Sequence, residues 1–256
     1  MTRLSTVVEM ASQLQVPRAF RRGHRKDEEG EIRSAVALIE HLRRHAGLDD
    51  LANSEILDVG CGVKLTQAFL EFDLPVGAYV GVDVYEPMIN FLRDNVHDPR
   101  FEYHHVNLHN ARYNPEGEPM TEGTRLPLRE GRTFDLICLF SVFTHLAPHD
   151  YPLMLKLLRR YVRAEGLLLY SLYIDERTEG GHGLMDGFAK RFGDDSVGKT
   201  VDFQDLKPEK PLDWALYSER HARELVEGTG WEIVSLEPPN EYIQHHFTCR
   251  PIVAPR

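Results

Sequence analysis

Residues 55–65, EILDVGCGVKL, constrain the fold of this chain more than any other stretch. A short apolar run at 56–59 carries Asp58 and breaks into Gly60-Cys61-Gly62, after which a helix is expected from Lys64. A strand that ends in a glycine turn and feeds a helix is how open α/β sheets hold nucleotide-like ligands at the carboxyl ends of their strands. A single G-x-G also suits an ordinary strand–helix turn, so its surroundings must decide what it is for.

Those surroundings alternate. Apolar runs at 79–83, 101–106, 134–140, 166–174, 231–236 and 247–253 read as further strands. Helices are expected at 64–72, 87–95, 151–162 and from Ser218 to a stop at Gly228. Near-continuous apolar strands between helices predict a parallel sheet covered on both faces. The last two strands have no helix between them, which predicts an antiparallel edge. Upstream, Ile32, Val36, Ile39 and Leu42 recur at helical spacing over 27–46, and Gly47 ends that run. The expected organisation is an N-terminal arm and helix, 1–50, covering the active site, then one α/β domain, 51–256, with a mobile lid-like segment at 175–213. Loops that follow parallel strands emerge on one side of the sheet. The long segments at 107–133, 141–150, 175–213 and 237–246 would therefore roof one crevice.

Composition narrows the partners. The chain has 256 residues and a net charge of −10, which disfavours a nucleic-acid backbone. No apolar run approaches membrane-spanning length, and the first residues lack the apolar segment of a secretory signal, so a cytoplasmic protein without membrane insertion is expected. Cys61, Cys138 and Cys249 form neither a ligand pair nor a disulfide framework. The basic cluster RRGHRK at 21–26 reads as part of a solvated arm. Homo-oligomer formation stays open.

The ligand at the turn is not expected to be a dinucleotide. The third glycine of that fingerprint would stand at position 65, which is Leu65, and Asp58 would repel a pyrophosphate. A cationic amino-acid group suits Asp58 instead. Asp83, at the end of the second strand, can accept hydrogen bonds from both ribose hydroxyls. Asn107, at the end of the third, can donate and accept at an adenine edge. An amino acid, a ribose and an adenine together describe S-adenosylmethionine.

At this point the residues resemble a family, the class I, Rossmann-like S-adenosylmethionine-dependent methyltransferases. ILDVGCG looks like its first motif, VGVDVY its second and HHVNLHN its third. FDLICLFSVFTHL is similar to the fourth-strand segment of bacterial methyltransferases acting on small molecules or sugars, and the YNP-G stretch at 113–117 recurs in such relatives. The resemblance covers about 50–175. It implies a seven-stranded, mostly parallel sheet in the order 3-2-1-4-5-7-6 with an antiparallel last strand. It also implies cofactor contacts from Asp58, Gly60, Cys61, Gly62, Asp83, Val84, Asn107, Leu108, Phe140 and Ser141. The family's third glycine would fall at position 64, where this chain has Lys64, and Asn107 replaces a common aspartate.

Methyl transfer to a hydroxyl needs orientation and a base. His145, in SVFTH just past the fourth strand, is the candidate base, with Asp150, Glu241 and Tyr242 as others. The alternative is a histidine that merely packs in its loop. No metal is expected, because neighbours in a strand face opposite ways and the pairs His104-His105 and His245-His246 can each give one ligand per site. Motifs for amide, base-amine or pyrimidine methylation are missing, which favours O-methylation of a small molecule or glycan over N- or C-methylation. A nicotinamide-dependent oxidoreductase and a catalytically inactive binding subunit are the alternatives from other classes.

Overall fold

The computed structural model describes residues 14–21, 28–239 and 243–253, and for 28–31 the backbone alone. The basic cluster beyond Arg21 and the candidate bases Glu241 and Tyr242 lie outside the described residues.

Strand β1 (Leu51–Val59) is buried on both faces, as its apolar run requires. Leu57 and Val59 point into one core, while Ile56 lies in the other. Around it pair β2 (Val76–Asp83), β3 (Phe101–His105), β4 (Phe134–Leu139) and β5 (Val162–Ile174), all parallel, in the order β3-β2-β1-β4-β5. The final strands, β8 (Trp231–Glu237) and β9 (His245–Pro251), close the edge, with β9 antiparallel to both β5 and β8. The expected seven-strand order is thus present, with β9 as its antiparallel member.

One side of the sheet is covered by α1 (Glu28–His45), α2 (Lys64–Glu71) and α3 (Glu86–Asn95), joined by Leu14 and Val16. The other carries α4 (Asp150–Leu158) and α6 (Glu219–Glu224). Pro87 stands in the first turn of α3, where a missing N–H costs nothing. Ser218 caps α6 by accepting from the His221 N–H at 3.2 Å.

The strand count departs from seven. The 175–213 segment contains α5 (Leu184–Phe192) and β6 (Phe203–Asp205), and β6 pairs with β7 (Ala215–Tyr217). In turn β7 runs parallel to the end of β5 through Tyr173 and Ile174, giving nine strands. These strands are three residues long, too short to show a period in a sequence rich in Gly, Asp and Lys. Among the described residues, no helix is long and apolar enough to cross a membrane.

Candidate active site

The glycine turn needs both glycines for their backbone. Gly60 and Gly62 have φ of 74° and 54°, values that L side chains rarely adopt. The N–H groups of Gly60 and Cys61 both donate to the Val82 carbonyl, at 2.7 and 3.2 Å, which ties the turn to the end of β2. Any Cβ on Gly60 would collide with the Val142 side chain from the loop after β4. The two strand ends flanking the crevice therefore touch through Gly60. Lys64 follows as the first residue of α2, with no positive φ to satisfy, and its ammonium donates to Ser34 of α1 at 3.2 Å. That is why a lysine is accepted where the family has a third glycine.

Asp83 closes the turn. Its Oδ2 accepts from the Gly62 N–H at 3.1 Å and its Oδ1 from the Tyr85 N–H at 2.9 Å. Backbone thus fixes the carboxylate at the strand end. Val84, beside it, is half-buried against the core.

Asp58 sits deeper than its neighbours. It is 2 % exposed, and its Oδ2 accepts a 2.6 Å hydrogen bond from the Tyr79 hydroxyl, with the Cys138 thiol also hydrogen-bonded to it. Burial pushes its pKa up to about 6 against the opposing pull of those donors. Its charge reaches the turn as a field from below rather than through an open contact. Cys61 is also buried, and burial raises its thiol well above the ordinary range, so this residue can offer a ligand only its backbone.

On the far side, Asn107 is exposed, and its Oδ1 accepts from Asn114 Nδ2 at 3.0 Å. The same Asn114 amide donates to the Leu108 carbonyl at 3.1 Å. A Cβ on Gly117 would meet Asn114 Nδ2 and the Leu108 carbonyl within 2.5 Å. The 113–117 stretch is thus a clamp on the end of β3, and the close approach demands its glycine. Leu108 itself is buried in the core.

At the end of β4, Phe140 is half-buried and Ser141 adopts φ 62°, a left-handed conformation rare for serine. The Ser141 N–H donates to Ser171 Oγ at 2.9 Å, and Ser171 donates to Gln244 Oε1 at 2.6 Å. Gln244 Nε2 donates back to Ser141 Oγ at 2.9 Å. Strain of this kind, held by surrounding bonds, gathers where a chain positions a ligand.

His145 ends a short turn, Phe143–His145, and is half-buried. Its Nδ1 lies 2.9 Å from the Leu212 carbonyl, a group that can only accept, so Nδ1 carries the proton and Nε2 is the acceptor. Burial lowers its pKa. Arg112, from the loop after β3, pairs with Asp213 at 2.9 Å, and Lys207 joins Asp213 at 3.1 Å. The insertions after β3 and β5 thus meet beside His145, as the roofing of the crevice requires. Asp150 and His145 border the same small cavity with Arg112 and Leu212.

A family profile described as a methyltransferase domain matches residues 28–236. The chain belongs to that methyltransferase family. Solved structures agree on the fold. Magnesium protoporphyrin IX methyltransferase (ChlM) from Synechocystis PCC 6803, with bound SAH, is similar at TM-score 0.53 and 13% identity over 91% of this chain and 91% of that one. The 1,6-didemethyltoxoflavin-N1-methyltransferase of Burkholderia thailandensis, with bound 1,6-didemethyltoxoflavin and S-adenosylhomocysteine, gives 0.51 and 15% over 88% and 79%. CalO1, a methyltransferase in calicheamicin biosynthesis, gives 0.53 and 14% over 85% of this chain, which spans only 54% of that protein.

The methyltransferase also holds residues that motif reading passed over. Tyr79 partners Asp58, and Gln244 grips the end of β4; each is an ordinary polar or aromatic residue until its partner is known. The histidines divide as strand geometry predicts. His245 pairs with Glu176 at 2.6 Å, while the His246 ring lies 4.4 Å from that of His41 on α1 and 5.9 Å from Phe140. His41 and His45 stand four apart on one face of α1, a spacing that the sequence reading did not single out.

Proposed function

We propose that this methyltransferase transfers a methyl group from S-adenosylmethionine to a hydroxyl of a small molecule or glycan. The observation that carries the cofactor assignment is Asp83, a carboxylate fixed by two backbone N–H groups beside a glycine turn at a parallel strand end. A ribose diol fits such an acceptor pair. Asn107 then meets the adenine edge, chiefly with its amide N–H groups since Oδ1 already has Asn114. Phe140, Ser141 and the turn backbone of Gly60, Cys61 and Gly62 border the amino-acid end, with Val84 and Leu108 beneath the nucleoside. Asp58 favours the ammonium through its field. The buried, unpaired thiols of Cys61, Cys138 and Cys249 suit a reducing cytoplasm.

Bound there, S-adenosylmethionine supplies an electrophilic methyl group on a sulfonium sulfur. The protein supplies orientation and a proton acceptor. His145, with Nδ1–H held by Leu212, presents Nε2, and that atom takes the acceptor's hydroxyl proton. The 175–213 segment acts as a lid, latched by Asp213 to Arg112. An alkylammonium acceptor must also lose a proton, so the position of the methyl group in the product, and not the rate of a His145→Gln variant, separates oxygen from nitrogen acceptors.

The test is calorimetry with S-adenosylhomocysteine against NAD, followed by labelled methyl transfer to libraries of hydroxyl compounds and glycans scored by mass. Micromolar binding of S-adenosylhomocysteine and a mass gain of one methyl on an oxygen are expected. Preference for NAD would end the reading.

A further inference from the structure

We propose that His41, His45 and Glu237 form a binding site for one divalent transition cation of the zinc type, which fastens α1 to the edge of the sheet beside Phe140. One ligand atom from each residue lies within 4.8 Å of the others. In a tetrahedral zinc site, bonds of about 2.0–2.2 Å set ligand atoms roughly 3.3–3.6 Å apart, so small rotamer changes close this trio on an ion. His41 and His45 stand four residues apart on α1, with ring centroids 4.3 Å apart. Glu237 comes from the end of β8.

Two orphaned atoms point to a missing ligand. His41 is 5 % exposed; its Nδ1 faces Glu237 Oε2 at 3.9 Å, and its Nε2, on the other side of the ring, is buried without a hydrogen-bond partner, so the ring is free to flip. His45 Nε2 lies 2.9 Å from Glu237 Oε1, yet in an orientation that makes no hydrogen bond, and is likewise unpartnered. The imidazole nitrogen and the carboxylate oxygen already face each other, and a separation of a few tenths of an ångström more would admit an ion between them. The other nitrogen of His45, Nδ1, lies 3.2 Å from Thr248 Oγ1. A hydrogen bond to the far nitrogen is what orients a metal-bound imidazole.

One cation already stands there. Arg44 Nη2 approaches His41 Nδ1 at 3.1 Å and Glu237 Oε2 at 3.5 Å. Its side chain is 59% exposed and can swing into water when an ion enters. The imidazole-rich donor set with one carboxylate favours zinc, cobalt or nickel over magnesium or calcium. Three protein ligands leave a fourth position for water or an acceptor heteroatom.

The test is titration of chelator-stripped, full-length protein with Co(II), followed by visible absorption, and displacement by Zn(II), both without cofactor or substrate. One equivalent is expected to bind with the intense visible bands of a four-coordinate site. His45→Gln and Glu237→Gln should each weaken binding at least tenfold, and Arg44→Ala should strengthen it several-fold by removing the competing guanidinium. His149→Gln, on the exposed start of α4, should change nothing. Absence of saturable binding, or affinities equal in all variants, would overturn the site and leave Arg44–Glu237 as a plain ion pair. Circular dichroism in chelator confirms that each variant folds. Calorimetry with S-adenosylhomocysteine is run separately, so failure of the metal site and failure of the methyl-transfer reading are told apart.

Discussion

The Tyr79 hydroxyl donates a 2.6 Å hydrogen bond to Asp58 Oδ2 in the core beneath the glycine turn. A carboxyl placed there, with burial as the dominant influence, holds its proton to about pH 6 in the fold but only to about 4 in the unfolded chain. The folded pKa is raised, so the stability this group contributes is fully present below pH 4 and is lost as pH rises through 6. The full swing is about 3 kcal/mol. Asp58→Asn should therefore flatten the stability profile between pH 4 and 7 and equal or exceed the parent at pH 8, measured by urea unfolding. A variant markedly weaker than the parent at pH 8 would mean that the ionised form is the stabilising one.

Asp83→Ala should weaken S-adenosylhomocysteine binding by roughly 1–3 kcal/mol, about 5- to 150-fold, the scale of lost hydrogen bonds to a charged group. Calorimetry reads this directly. Unchanged affinity in a folded variant removes the ribose assignment.

His145→Gln should lower turnover by about 10²–10⁴-fold with cofactor affinity intact, because a general base contributes on that scale. Burial lowers the pKa of His145, so the neutral form persists below the ordinary histidine value of about 6.5. The acid limb of kcat should fall in that lower range and vanish in the variant. A parent limb centred above pH 6.5 would point to another base.

Gly60→Ala meets two obstacles, a φ of 74° and the Val142 side chain. A left-handed alanine costs about 1–2 kcal/mol, and the collision adds to it. Pairing the change with Val142→Ala should recover the steric part and leave the backbone part, a non-additivity that thermal unfolding of the four proteins can resolve.

Strands ending in Asp83, in the glycine turn and in Phe140 were legible because a long apolar run and a polar terminus leave a chain few other conformations. Residues 52–54 hid the true start of β1, since Ala-Asn-Ser reads as a turn although it continues the strand. Helix α5 was hidden by Gly187 and the charges around it, and it is held by Asp186, which caps its start and pairs with Arg177 at 2.7 Å. The site shows the same division. Asp83 declares itself by position alone. Gln244, Tyr79 and the trio on α1 and β8 acquire meaning only through partners from distant parts of the chain, and no local period records such meetings.

Ser141 carries a consequence for how the protein is made. Its left-handed backbone is held by Ser171 on β5 and by Gln244 at the threshold of the last strand. A ribosome releases the glycine turn, β2 and β3 long before residue 244, yet the turn at Ser141 lacks its Gln244 partner until that residue emerges. The end of β4 is therefore among the last parts of the molecule to reach its final form, although its strand lies in the middle of the sheet.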